Sequence, residues 1–223
     1  MQALKLVDMG FLYTETVTSP KHVAGLQIYT IPEDYEGNFT RDLYDSLMSQ
    51  DQIQKPFNFK VKKQLTGQCF WQEDKDMDLS YHVRFAMLPQ PGTEAQLLSF
   101  IEHQHESLLD RNRPLWEMIL VDGLENNQFA IYVKVHHAMA DGARANQVLM
   151  QSLNIDPNAP LKAFWTLEEP EKTKRDDSLM ASVSTTSKAI SKQVKSIPSL
   201  TRLTTKLLFQ AANVYKADIP TPF

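Results

Sequence analysis

The sequence predicts an α/β fold built on a mixed sheet flanked by helices, and three observations predict it. Residues 117–121 and 128–135 are strand-like runs joined by Asp122-Gly123-Leu124-Glu125-Asn126-Asn127, a β-hairpin signature. In the second run Phe129, Ile131, Val133 and Val135 alternate with Ala130 and Tyr132, so nearly both faces are apolar, as in a central, covered strand. Thr93 and Gln96 form a capping-box pattern ahead of Leu97, Leu98, Ile101, Leu108 and Leu109, which predicts a helix from Thr93 to about Asp110. Helices interleaved with strands that include a hairpin point to a mixed sheet, not a purely parallel one.

The other elements follow in chain order. Val23, Leu26, Ile28 and Ile31 lie in a β-branched and aliphatic run closed by Pro32, which predicts a strand over Val23–Ile31. Thr40 is the expected N-cap of a helix over Arg41–Gln50, with Leu43, Leu47 and Met48 at helical spacing. Short extended pieces are expected around Phe57–Leu65 and Tyr81–Leu88. Arg144–Leu153 reads as a helix with Val148, Leu149 and Leu153 on its apolar side. Residues 154–178, with prolines and the mixed-charge run Glu171-Lys172-Thr173-Lys174-Arg175-Asp176-Asp177, read as a linker or exposed crossover.

A chain of 223 residues, 42% of them hydrophobic, can bury a sizeable core. Its single cysteine, Cys69, forms no internal disulfide and reads as an inert thiol. With no charged segment leading into an apolar one at the start, a reducing, cytoplasmic setting is expected. No apolar run approaches the roughly 18–20 residues of a membrane-spanning helix, so membrane contact is expected to be peripheral. Residues 1–170 carry 14 basic and 23 acidic side chains, whereas residues 171–223 carry 9 basic and 4 acidic. An acidic body with a basic tail is poor material for a nucleic-acid groove, which needs cations clustered on the folded face.

Within that tail, Ser178 to Ala217 contains no acidic residue. Ile190, Val194 and Ile197 follow helical spacing, as do Leu200, Leu203, Leu207 and Leu208, with Pro198 between the two sets. Two readings fit basic amphipathic helices of this kind: they lie on an anionic bilayer or lipid-inclusion surface, or they pack against further protein.

The chemistry-bearing pattern is His136-His137-Ala138-Met139-Ala140-Asp141-Gly142, at the end of the predicted central strand. A base that takes a proton from a hydroxyl at neutral pH needs a pKa near 7, and imidazole supplies it. Asp141, four residues after His137, can fix a tight loop, and Gly142 permits a backbone shape closed to other residues. The alternative is a strand ending at the surface with Asp141 capping the next helix, and for the pattern alone both readings stand. A metal site is disfavoured, because no cysteine cluster or carboxylate stands at zinc-ligand spacing. His103 and His105 are expected in surface or packing roles.

Further stretches carry a resemblance. Leu6-Val7-Asp8-Met9-Gly10-Phe11-Leu12 with His22-Val23, Leu79-Ser80-Tyr81-His82-Val83-Arg84 with Leu88-Pro89-Gln90-Pro91-Gly92, Leu109-Asp110-Arg111-Asn112-Arg113-Pro114-Leu115-Trp116-Glu117, and the paired-histidine segment occur in that order. Over roughly residues 5–155 the sequence resembles the bacterial wax ester synthase/diacylglycerol acyltransferases. These belong to the CoA-dependent acyltransferase superfamily, with chloramphenicol acetyltransferase and peptide-synthetase condensation domains.

The resemblance implies a chloramphenicol acetyltransferase-like lobe over residues 1–155. Residues 156–223 would then be a linker or crossover leading to a second lobe, the C-terminal half of the same enzyme. It implies direct transfer of a fatty acyl group from acyl-CoA to a long-chain alcohol or diacylglycerol, with acyl-CoA as substrate and no cofactor. His137 would be the general base, His136 its flanking partner, Asp141 a structural residue and Gly142 the shaper of the turn. Pro114-Leu115-Trp116 would lie near the reaction channel, or else Trp116 would be buried under the sheet. Lys21 stands before His22 where the family commonly has methionine. Two other functions fit less closely: an acyltransferase of the superfamily with another acceptor, and a non-enzymatic lipid-surface protein that keeps the fold.

Overall fold

A computed structural model of the chain describes residues 2–139, 148, 151–152 and 161–167. Its centre is a four-stranded sheet of β2 (His22–Thr30), β7 (Gln128–His136), β6 (Trp116–Leu124) and β5 (Val83–Met87), in that spatial order. The pairs β2/β7 and β7/β6 are antiparallel, and β5/β6 is parallel. Parallel neighbours require a crossover; α4 (Glu94–Glu106) supplies it between β5 and β6. A second, three-stranded sheet has the order β1 (Gln2–Ala3), β4 (Cys69–Glu73), β3 (Phe59–Lys63). The mixed α/β architecture expected from the sequence is therefore the one found.

Side chains alternate faces along a strand, and the two cores obey that period. Trp116 and Met118 of β6 join Val133 and Val135 of β7 in one cluster, whereas Ile119 and Val121 join Ala130 and Tyr132 in the other. The second cluster is closed by Leu97 and Ile101 of α4. Lys134 and His136 share the strand parity of Tyr132, and both are completely buried. The central position expected of this strand is occupied by β7, with β2 on one side and β6 on the other.

The hairpin turns at Asn126 and Asn127, both in the left-handed region at φ 60° and 53°, where asparagine is among the few non-glycine residues tolerated. The predicted helix at Thr93 has its capping box: the Thr93 hydroxyl accepts from Gln96 N, and Thr93 N donates to the Gln96 side chain. Just before it, Gly92 sits at φ 74° so close to the backbone of Gly123 that an added Cβ would fall 1.8 Å from its carbonyl oxygen. No other residue fits there.

Several expectations are corrected. The N-cap of α2 (Phe39–Met48) is Asn38, which accepts from Arg41 N; Thr40 lies inside the helix, and its hydroxyl donates to Asp122 of β6. Helix α4 stops at Glu106, short of Asp110, where Ser107 is extended, and Lys134 of β7 satisfies the Gln104 and Ser107 carbonyls at 2.8 and 2.9 Å. Helices α1 (Leu6–Thr14) and α3 (Leu79–His82) and strand β4 were not anticipated. The linker or exposed crossover expected over residues 154–178 is exposed at Leu161 and Lys162 but not at 163–165. There Ala163, Phe164 and Trp165 are buried, and the Trp165 ring stacks on Trp116 with centroids 5.6 Å apart. Trp165 Nε1 also donates to Gln50 O, so two large aromatic side chains turn this segment into core. Of the helix expected over Arg144–Leu153, Val148, Gln151 and Ser152 are described and helical. The basic tail lies outside the described residues.

Candidate active site

The antiparallel pairing of β2 with β7 sets His22 directly opposite His136 at one end of the sheet. His136 N donates to Leu115 O at 3.0 Å, which ties the strand end to the segment entering β6. The chain then turns: Met139 N donates to His136 O, and Ala138 N donates to His136 Nδ1 at 3.0 Å. His137 N donates to Lys21 O at 2.9 Å. Within this turn the two neighbouring histidines have opposite fates.

His136 is fully buried. Because its Nδ1 accepts from Ala138, the proton of the neutral ring sits on Nε2, which lies 3.3 Å from Glu15 Oε1 and off-line for a good hydrogen bond. Burial pushes the His136 pKa down to about 4, with Arg111 and His22 adding to the effect and Glu15 opposing it. His136 is therefore neutral near pH 7. Burial also works against the charge on Glu15. Hydrogen bonds from Arg111 Nη2 and Lys21 N, with the Arg111 charge, outweigh it and hold that carboxyl below its ordinary range.

His137 is half-buried, and its ring lies flat against Phe11 of α1, centroids 4.9 Å apart and planes inclined by 17°. Among the described residues no side-chain hydrogen bond engages either ring nitrogen. Asp141 and Gly142, expected to shape the loop beyond, lie outside the described residues.

Pro114, Leu115 and Trp116 approach the histidines through the main chain, by the Leu115 carbonyl. The Trp116 ring points into the core instead. It is completely buried, donates from Nε1 to Phe57 O at 2.8 Å, and stacks on His82 and Trp165. Of the two placements expected for Trp116, burial beneath the sheet is the one observed. His82 Nδ1–H donates to Trp116 O at 2.7 Å, and burial lowers its pKa.

His22 donates from Nε2 to the His105 carbonyl at 2.8 Å, and the two rings meet edge to face. Its Nδ1 is buried with no partner among the described residues, and burial, then the Lys134 and His105 charges, lower its pKa. Lys21 presents main-chain groups to Glu15 and His137, while its ammonium turns to Ser19. His105 contacts Tyr132, and His103 is exposed. Cys69 is a buried free thiol.

Glu15, Phe11 and Arg111 received no role in the sequence reading. Glu15 stands in a run of threonines with no motif around it, and only the fold brings it to His136. Arg111 lies inside the segment Leu109–Glu117, but its partner is 96 positions away. Beside Glu15 and Arg111 opens a cavity of about 470 Å³ that Tyr13, Lys62, Lys63 and Asn112 also line. Among the described residues no group of three or more His, Cys, Asp or Glu could hold a metal ion, and no helix is long and apolar enough to cross a membrane.

The central strand of the mixed sheet thus ends in a buried histidine, followed by one whose ring nitrogens meet no side-chain hydrogen bond among the described residues. The solved structure of the wax ester synthase/diacylglycerol acyltransferase from Marinobacter aquaeolei VT8 superposes on this fold with a TM-score of 0.72 at 39% identity, over 75% of this chain and 41% of that one. The wax ester synthase/diacylglycerol acyltransferase catalytic domain family matches residues 4–223, and the chain belongs to this family. A probable diacylglycerol O-acyltransferase of Mycobacterium tuberculosis is 37% identical over 171 residues, 75% of this chain and 37% of the relative. The O-acyltransferase WSD of Acinetobacter baylyi is 40% identical over 157 residues, 70% of this chain and 33% of the relative. The chain thus spans 33–41% of the length of these relatives.

Proposed function

We propose that this chain is the histidine-bearing lobe of an enzyme that moves a fatty acyl group from acyl-CoA to a long-chain alcohol or diacylglycerol, with His137 as general base. One observation carries the choice of base. His136 is buried with Nδ1 engaged and Nε2 turned toward Glu15, whereas His137 keeps both ring nitrogens clear of side-chain hydrogen bonds among the described residues. The acyl donor and acceptor follow from the family. No further cofactor enters the reading, since the thioester brings its own activation.

In the step assigned to His137, a ring nitrogen takes the proton of the acceptor hydroxyl as its oxygen bonds to the thioester carbonyl carbon. The tetrahedral intermediate collapses with cleavage of the C–S bond, and the protonated His137 returns its proton to the CoA thiolate. Ester and free CoA are the products, and His137 is regenerated. Base catalysis of this kind contributes about 10²–10⁴-fold. A second lobe of comparable size would complete the acyl-CoA site, and peripheral contact with a lipid surface would bring the hydrophobic acceptor within reach.

The test is ester formation from palmitoyl-CoA and hexadecanol or a diacylglycerol by the whole enzyme. His137→Ala should remove most of it while melting like the parent, and His136→Ala should cost less per folded molecule. A folded His137→Ala protein with parental turnover ends the assignment.

A further inference from the structure

The turn that carries His137 is gripped from behind by one carboxylate. Glu15 follows α1, and its side chain is 1% exposed. Oε1 accepts from Lys21 N at 3.0 Å and lies 3.3 Å from His136 Nε2, and Oε2 accepts from Arg111 Nη2 at 2.9 Å. Lys21 in turn accepts the His137 N–H through its carbonyl, at 2.9 Å. Glu15 therefore holds Lys21, just ahead of β2, which grips the His137 amide, and also faces the ring of the residue before His137.

We infer that Glu15, held by Arg111, is a positioning residue for acyl transfer: it keeps His136 as the Nε2-protonated neutral tautomer, so that Nδ1 accepts from Ala138 and the His137 turn is set. The inference rests on His137 being the base.

The physical case runs through donor and acceptor counting. A neutral imidazole has one N–H and one bare nitrogen, and which is which is set by the hydrogen bonds around the ring. The Ala138 amide can donate to Nδ1 only if that nitrogen is bare. An anion at Oε1 favours the proton on the nitrogen that faces it. The tautomer with its proton on Nδ1 would set N–H against N–H at Ala138 and leave Nε2 bare toward a carboxylate. Removing the anion removes that bias. A buried carboxylate in turn needs a cation, and Arg111, 45% exposed at its side chain, supplies one from the rim.

A salt bridge that merely fastened α1 to the loop at residue 111 would also explain burial, but it would leave the tautomer of His136 indifferent to Glu15. Glu15→Gln separates the two cases. The carboxamide has the same shape but one acceptor oxygen, and it faces three donors: Lys21 N–H, Arg111 and His136 Nε2–H. At least one donor must then meet an amide N–H₂.

The experiment uses the whole enzyme with ¹⁵N-labelled histidine. Parental His136 should give the Nε2–H tautomer, and Glu15→Gln should shift it to a mixture or to Nδ1–H. With palmitoyl-CoA and hexadecanol, kcat should fall about 10- to 100-fold, the cost of a misplaced catalytic group, with KM changed by less than about twofold. In a His136→Ala background, Glu15→Gln should add less than about a twofold further loss. Arg111→Met should reproduce the tautomer shift, and Arg111→Lys, which keeps the cation, should largely restore it; this pair decides the matter if Glu15→Gln does not fold. A parental His136 protonated on Nδ1, a tautomer unmoved by Glu15→Gln, or losses that multiply fully in the His136→Ala background would each overturn the inference. His137→Ala is assayed alongside. If it stays active, the base assignment falls, while the His136 spectra still decide what Glu15 does.

Discussion

The His137 imidazole rests on the Phe11 ring, centroids 4.9 Å apart and planes 17° from parallel, so helix α1 supplies the surface against which the candidate base is oriented. Stacked aromatic pairs of this geometry contribute about 0.5–1.5 kcal/mol beyond the area they bury. Phe11 is only partly buried. Phe11→Ala should therefore leave the melting temperature nearly unchanged while lowering kcat about tenfold, because the ring of His137 loses its rest. Phe11→Tyr should retain most activity. Equal kcat in parent and Phe11→Ala would show that the stacking does not orient the base.

How much of this was legible in the sequence varies from residue to residue. The strand carrying His136, its central place and the capping box at Thr93 are written in local patterns, because alternation and capping depend on residues a few positions apart. Helix α1 is not: Leu6, Val7, Met9, Phe11 and Leu12 are nearly all apolar, so no helical stripe stands out, and Leu6 and Val7 are in fact 86% and 62% exposed. The aromatic pair Phe164-Trp165 was a signal against an exposed linker, outweighed by the neighbouring prolines and charges.

Lys134 is completely buried, with its ammonium donating to two carbonyls at the end of α4 and lying 3.6 Å from Glu117. Burial lowers its pKa. Lys134→Met preserves bulk but leaves the Gln104 and Ser107 carbonyls without their donor; Glu117 keeps Arg84 at 2.8 Å. The expected cost is about 2–4 kcal/mol in urea unfolding, more than a lone exposed pair could give. A loss below about 1 kcal/mol would mean that water replaces the ammonium.

Trp116 and Trp165 stack face to face, with centroids 5.6 Å apart, and both are fully buried. Trp116→Ala and Trp165→Ala should each destabilise by about 3–5 kcal/mol, and the double variant by less than the sum, since each leaves a cavity that the other borders. Chemical denaturation of the three proteins measures this. Strict additivity would place the two rings in separate cavities.

Stability should fall as the pH drops from about 6.5 toward 4. The pKa values of His22, His82 and His136 are all depressed, the last to about 4, so the unfolded chain binds protons in this window that the folded one refuses. The stabilisation is present above the unfolded pKa and is lost on acidification, by up to about 1.4 kcal/mol per pH unit for each group in its window. Unfolding free energies at pH 7, 6 and 5 should decline, and less steeply in His136→Gln. A flat profile in the parent would contradict the buried neutral state of these rings.

By itself, the sequence determined the mixed α/β class, the strand that leads into His136, and the family that the ordered stretches resemble, because each is a short-range pattern of polarity, turn chemistry or motif order. Only the tertiary structure decided which of two adjacent histidines keeps its ring nitrogens free of side-chain hydrogen bonds among the described residues, that Trp116 is core, and that Glu15 and Arg111 stand behind the turn. Those outcomes depend on burial and on partners far apart in the chain: Arg111 lies 96 positions from Glu15, and Trp116 donates to Phe57, 59 positions away. A buried polar atom takes whatever donor or acceptor the fold brings within about 3 Å, and no spacing along the chain encodes that meeting.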